Sequence, residues 1–150
     1  MNALRSAVAV LAGAMLVLFI HGTLEQTLVR AIADGPVTDE ASFVAVRNRP
    51  VVLGSTLVTL ALASTLAGYL VAKIAGAHEV RHAVGAALVL TGLYVYAFIG
   101  GNIMLPPVWV RIGMLIVTPP ALVAGASIRA QARSIQTEEQ ADAIRPEERS

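Results

Sequence analysis

Five consecutive residues, His78-Glu79-Val80-Arg81-His82, carry the spacing of a zinc hydrolase. On a helix, two histidines four apart share a face and can hold a dication through their imidazole nitrogens. A glutamate between them can take a proton from a metal-bound water. His78 and His82 are then the candidate metal ligands, and Glu79 is the candidate catalytic base. The plainer reading is a charged turn opening a helix, with Glu79 near the helix N-terminus, where a carboxylate is favoured. Two features favour the turn. Arg81 places a fixed cation beside the Zn²⁺ position, which opposes binding, and a catalytic zinc wants a third protein ligand. The chain has no His, Asp or Glu between His82 and Glu138. Glu138, Glu139 and Asp142 are the first later donors, on a polar tail. The expectation is no catalytic residue and no cofactor, with zinc on this segment as the alternative.

The segment continues Ala83-Val84-Gly85-Ala86 and resembles the H-E-x-G-H-A stretch of membrane-associated zinc proteases of the AAA-linked and intramembrane site-2 families. The resemblance implies His78 and His82 as ligands and Glu79 as base. The chain departs from it at Arg81, where those families have glycine.

A second constellation is His21, Glu25 and Arg111. His21 and Glu25 are four apart and share a helix face. Arg111 opens a later apolar run at similar depth, so a Glu25–Arg111 pair is expected. Ionisable groups within a bilayer mark functional sites, whereas at its edge long side chains reach water at little cost. The cluster therefore reads either as an interfacial structural feature or as a ligand or proton site. As a proton site it would make the chain a small transporter or channel.

These residues must be positioned by helices in lipid. Of 150 residues, 56% are hydrophobic and only 14% charged, against roughly a quarter charged in a soluble domain. Mean hydropathy is +0.70. Four apolar runs, Leu4–Ile20, Val51–Ala72, Ala83–Gly100 and Ile112–Ile128, approach or exceed the ~20 residues that cross the hydrocarbon. None alternates with period two, so a membrane barrel is disfavoured. The reading is an all-α, polytopic membrane protein: a four-helix antiparallel bundle with helices at about residues 4–32, 50–75, 79–101 and 106–130. Residues 131–150 form a polar tail that extends the last helix briefly. The first run, despite Arg5 and a small Ala12-Gly13-Ala14 stretch, reads as an uncleaved helix. Between the first two spans, Asp34-Gly35-Pro36 stops the first helix, and Thr38 is the expected cap of a short helix over Asp39 to Arg47.

Counting Lys and Arg gives seven on the side of the N-terminus and four on the other. By the positive-inside rule both termini are expected in the cytoplasm. The formal charge of +1 disfavours nucleic acid. With no cysteine, thiolate sites and disulfides are excluded.

Small residues draw helices together in lipid, where the hydrophobic effect does not. Ser64, Gly68, Ala72 and Gly76 recur every fourth residue. Ala121 and Gly125 do the same later, as do Ala9 and Gly13 earlier. These faces serve either packing within the bundle or a homo-oligomer or larger membrane partner. Pro119 and Pro120 withhold two helix donors and predict a kink, since the carbonyls of Leu115 and Ile116 lose their partners.

The stretch Leu66-Ala67-Gly68-Tyr69-Leu70-Val71-Ala72, with Pro107-Val108-Trp109 and Thr118-Pro119-Pro120-Ala121, resembles a broad group of small, uncharacterised four-helix bacterial membrane proteins without known activity. The resemblance implies a multi-pass protein of the bacterial inner (plasma) membrane and brings no activity with it. The expected function is non-enzymatic, acting through helix packing with itself or a membrane partner, with the lipid bilayer as the constant partner.

Overall fold

The computed structural model describes residues 3–100 and 105–144, with side chains for 4–100 and 105–140. Five helices follow one another: α1 (Ala3–Ile32), α2 (Glu40–Arg47), α3 (Pro50–Ala75), α4 (Glu79–Ile99) and α5 (Val108–Ile144). All but α2 are long and apolar enough to cross a membrane. No strand occurs among the described residues. Lipid offers the backbone no hydrogen-bond partners, and a helix satisfies its own. The chain is therefore an all-α, multi-pass membrane protein.

Local chemistry sets the boundaries. Pro50 opens α3 at its first turn, where the missing N–H is no loss. Gly76 closes α3 in the left-handed region, φ 70°, and its N–H donates back to the Ala72 carbonyl. The short α2 is capped by Asp39, one residue later than the Thr38 expected from sequence. Ser42 N–H donates to the Asp39 carboxylate at 2.7 Å, and Asp39 N–H donates to the Ser42 hydroxyl at 3.3 Å. This reciprocal box selects the register: Ser42 lies three residues after Asp39, so only Asp39 has the partner that completes it.

α5 passes through Pro119 and Pro120 without a break. It also runs well past residue 130, to Ile144. At 1.5 Å per residue its 37 residues span about 55 Å, against a hydrocarbon core of roughly 30 Å. The polar stretch from Gln131 therefore projects beyond the bilayer as helix.

The most extensive interface joins α3 and α5. Gly68 faces the Leu122 carbonyl and Gly125 faces Thr65, so closely that a methyl group on either glycine would overlap backbone. Gly113 meets Leu57 nearer the starts of the same two helices, so residue numbers rise together from there to Gly68 and Leu122, and the helices run parallel. α1 packs on α3 and α4 from the other side, with Gly13 against the Val71 side chain. Ser64 and Ala72 are fully buried, and so is Ala9. The small-residue faces are thus engaged within the chain. The main core joins Val17, Leu60, Leu90, Tyr94, Val110 and Leu122 from all four spans.

Candidate functional site

The bundle has two polar ends. At one, the α3–α4 turn carries the zinc-like segment. We call this the turn end. At the other, α2 lies against the ends of α1 and α3.

At the turn end the one buried carboxylate and two of the arginines are partnered. His78 sits outside α4 at its N-cap, in the left-handed region with φ 50°. It does not share a helical face with His82. Instead the His82 ring donates from Nδ1 to the His78 carbonyl at 3.0 Å. Glu79 is buried, 7% exposed, and its carboxylate meets the Arg133 guanidinium at 3.4 Å. The same Arg133 nitrogen donates to the Gly76 carbonyl. From the opposite side Arg5 Nε donates to the Ile74 carbonyl at 2.8 Å. Two arginines, from α1 and α5, thus cover the orphan carbonyls that every helix C-terminus leaves, with the sign its dipole favours.

This geometry does not fit a catalytic zinc. The would-be base is held by an arginine. A groove of about 390 Å³ beside it is lined by Arg81 and Arg133 along with His78 and Glu79. Among the described residues no three His, Asp or Glu side chains come together. Glu138 and Glu139 are exposed on α5 beyond Arg133, and the side chain of Asp142 lies outside the described residues.

The α2 end is organised differently. His21, on α1, is 7% exposed, and its Nδ1 has no hydrogen-bond partner. One turn further, half-buried Glu25 lies within the field of Arg47. Arg47, in the last turn of α2, is only 5% exposed. Its Nε and Nη2 are both buried and unpartnered, and its guanidinium carbon lies 6.0 Å from the Phe43 ring centre. Arg111 does not pair with Glu25 as expected. Its guanidinium carbon stands 5.8 Å from the Phe98 ring centre, its Nε is buried without a partner, and Phe98 stacks on Tyr94. Nearby, Arg49 binds Asp34 at 2.7 Å and the Ile32 carbonyl at 3.2 Å, tying α1 to the start of α3.

The structure sets His21 and Glu25 one turn apart on α1 and places Arg47 near Glu25; sequence reasoning took Arg47 only as the last residue of the short helix and one of four positive charges on that side. One signal was available. Arg47 lies four residues after Phe43, on the face that also buries Val46, so it shares the apolar side of an amphipathic helix.

A third polar group lies between the ends. Most described Ser and Thr hydroxyls in the spans donate to a carbonyl one turn back, as Thr56 and Ser127 do. Ser64 and Thr118 are almost fully buried and do not, and the Tyr94 hydroxyl is likewise unpartnered. Ser64 and Thr118 lie one turn outward of Gly68 and Leu122, so the parallel helices set them at one level.

Fold and site together define a polytopic membrane bundle with one buried, under-satisfied polar end. Comparison with protein families, curated proteins and solved structures found no match to this chain.

Proposed function

We propose that this chain is a non-enzymatic, multi-pass protein of the bacterial inner membrane that acts by binding, with its recognition site at the α2 end. The carrying observation is that His21 and Arg47 are more than nine-tenths buried while His21 Nδ1 and two Arg47 donors lack hydrogen-bond partners. An unsatisfied buried donor costs about 1–3 kcal/mol, and more for a charged group. A ligand or partner that supplies acceptors removes that penalty, so the bound state is favoured by groups already in place. The inner-membrane assignment rests on the resemblance of the helices and on the excess of Lys and Arg at the turn end.

Binding through the small-residue faces has less support. Those residues already hold α1, α3 and α5 together, so an oligomer would use the large apolar side chains on the outside, such as Leu11, Met15 and Phe19. Lipid covers these equally well.

The test is a native mass spectrum of the protein released from its own membranes in mild detergent, beside Arg47→Gln. We expect a non-covalent adduct on the wild type that Arg47→Gln loses. Bare chain in both spectra, or the same adduct on both, overturns the reading.

A further inference from the structure

We propose that Ser64, Tyr94 and Thr118 form an internal water site within the membrane span, in which bound water joins hydroxyls from α3, α4 and α5 to the Leu115 carbonyl.

The first ground is the state of the three hydroxyls. Ser64, Thr118 and Tyr94 are 0%, 1% and 7% exposed. None of their oxygens has a hydrogen-bond partner among the described residues. Lipid cannot make up the deficit. Each hydroxyl both donates and accepts. Water does the same, so it can complete all three, whereas an anion would serve only donors and a cation only acceptors.

The second ground is placement, fixed by two separate contacts. The Arg133–Glu79 pair aligns α5 with α4. Thr118 and Tyr94 each lie 15 residues from that pair along their helices, about 22 Å at 1.5 Å per residue. The Tyr94 hydroxyl accordingly lies beside that of Thr118, but outside hydrogen-bonding geometry. Polar groups so placed are readily joined by a bridging water. The contact of Gly68 with the Leu122 carbonyl aligns α3 with α5. Ser64 and Thr118 each precede it by one turn, and both stay on the buried side of their helices.

The third ground is the backbone of α5. Pro119 has no N–H for the Leu115 carbonyl. Helix carbonyls point towards the C-terminus, so this one reaches the level of Thr118 and Pro119. Leu115 packs against the core cluster that contains Tyr94. The site thus gains an acceptor that the helix itself leaves free.

The fourth ground is charge and size. No Asp, Glu, Lys, Arg or His lies within six residues of Ser64, Tyr94 or Thr118 in the chain. A cation here would lack a neighbouring carboxylate at a depth where unbalanced charge is costly. One turn away Gly68 brings α3 onto the backbone of α5, so the space beside the hydroxyls is narrow. A neutral, small, two-way hydrogen-bonding occupant is water.

The direct test is NMR transfer of magnetisation from water to methyl groups in the full-length protein in lipid bilayer discs. The Thr118 methyl is expected to show a water cross-peak. The Leu62 methyls, 66% exposed on the outside of α3, are expected to show none. Thr118→Val keeps a methyl at the position without the hydroxyl and is expected to lose the cross-peak. Tyr94→Phe leaves the Thr118 probe in place and is expected to weaken it. Thermal unfolding supplies a second readout. Replacing an unsatisfied hydroxyl by an apolar group of the same shape is neutral or stabilising, whereas replacing a bridged one strands its partners. Thr118→Val and Tyr94→Phe are each expected to lower the midpoint by roughly 2–4 °C. The double variant is expected to lose less than the two losses added, because both act on shared water.

No water cross-peak at Thr118, or midpoints that hold or rise in both single variants, overturns the proposal. A wild-type midpoint that rises with sodium against choline at matched ionic strength, and does not in Thr118→Val, assigns a cation instead and overturns it equally.

Discussion

The two polar ends of this bundle use the same residue types to opposite effect. At the turn end, Arg5 and Arg133 satisfy carbonyls at the C-terminus of α3, and Arg133 also neutralises buried Glu79. At the α2 end, Arg47 is buried more deeply than Arg133 and still leaves two donors without acceptors. Folding explains the first arrangement completely. It does not explain the second, because a buried unpaired guanidinium opposes folding. The eye-catching motif, H-E-x-x-H, lies at the end whose groups answer to structure alone. The end that folding leaves unfinished carries no motif.

The helices that hold both ends in register meet at the α3–α5 contact, and the largest effect is expected there. Gly125→Val would force a branched side chain into the Thr65 carbonyl and the Tyr69 backbone. Backbone cannot yield as a side-chain tip can. We expect a loss of about 3 kcal/mol, the upper range for overpacking, read as a lower unfolding midpoint in detergent. Unchanged stability would show that the ends are positioned independently of this contact.

The expected difference between the ends is sharpest in a pair of arginine substitutions. Arg133→Ala leaves the Glu79 carboxylate buried without its cation and bares the Gly76 carbonyl. A loss of about 1–2 kcal/mol is expected, the low part of the range for a stranded polar group because Arg133 is itself half-exposed. Arg47→Met removes a buried charge that has no direct partner and keeps most of its volume. In ligand-free protein this is expected to be neutral within about 1 kcal/mol, or stabilising. Equal losses at both sites would mean that Arg47 has a structural partner after all, and the contrast between the ends would fail.

What was legible in the sequence follows the physics of each feature. The four spans were readable because lipid demands long apolar helices, and hydropathy alone reports that demand. Pro50 marked the start of α3 because its constraint is local, whereas Gly76, read as part of the small-residue face, instead closes the helix. The cap of α2 was displaced by one residue, since Thr38 and Asp39 are both good caps and the deciding partner, Ser42, is three residues away. The projection of α5 to Ile144 was underestimated because polarity marks the exit from lipid, not the end of a helix. His78, Glu79 and His82 were legible as letters but not as geometry. The left-handed His78 and the grip of Arg133 on Glu79 come from residues brought together only by the fold. Arg47 was missed for the same reason: the burial of a cation, and whether it finds an acceptor, are tertiary facts.

The smallest effect concerns the device that holds Arg47 in place. Its helix, α2, has eight residues, too few to be stable alone, and begins at the Asp39–Ser42 box. The Ser42 backbone N–H, then its hydroxyl, hold the Asp39 carboxyl below its ordinary pKa. A depressed carboxyl contributes stability above its unfolded pKa and loses it as pH falls through the folded value. The window therefore lies below about pH 4, the ordinary Asp value. There the box loses its charged acceptor and α2 is expected to fray from Glu40 onward, loosening Arg47. The Ser42 amide, followed by NMR hydrogen exchange, should lose protection in that window, and Asp39→Asn should remove the pH dependence while keeping a cap. If Ser42 protection is flat across the window, α2 is held by Phe43, Val46 and Val52 packing on α1 and α3 rather than by its cap, and the α2 end is as rigid as the turn end despite its unpaired donors.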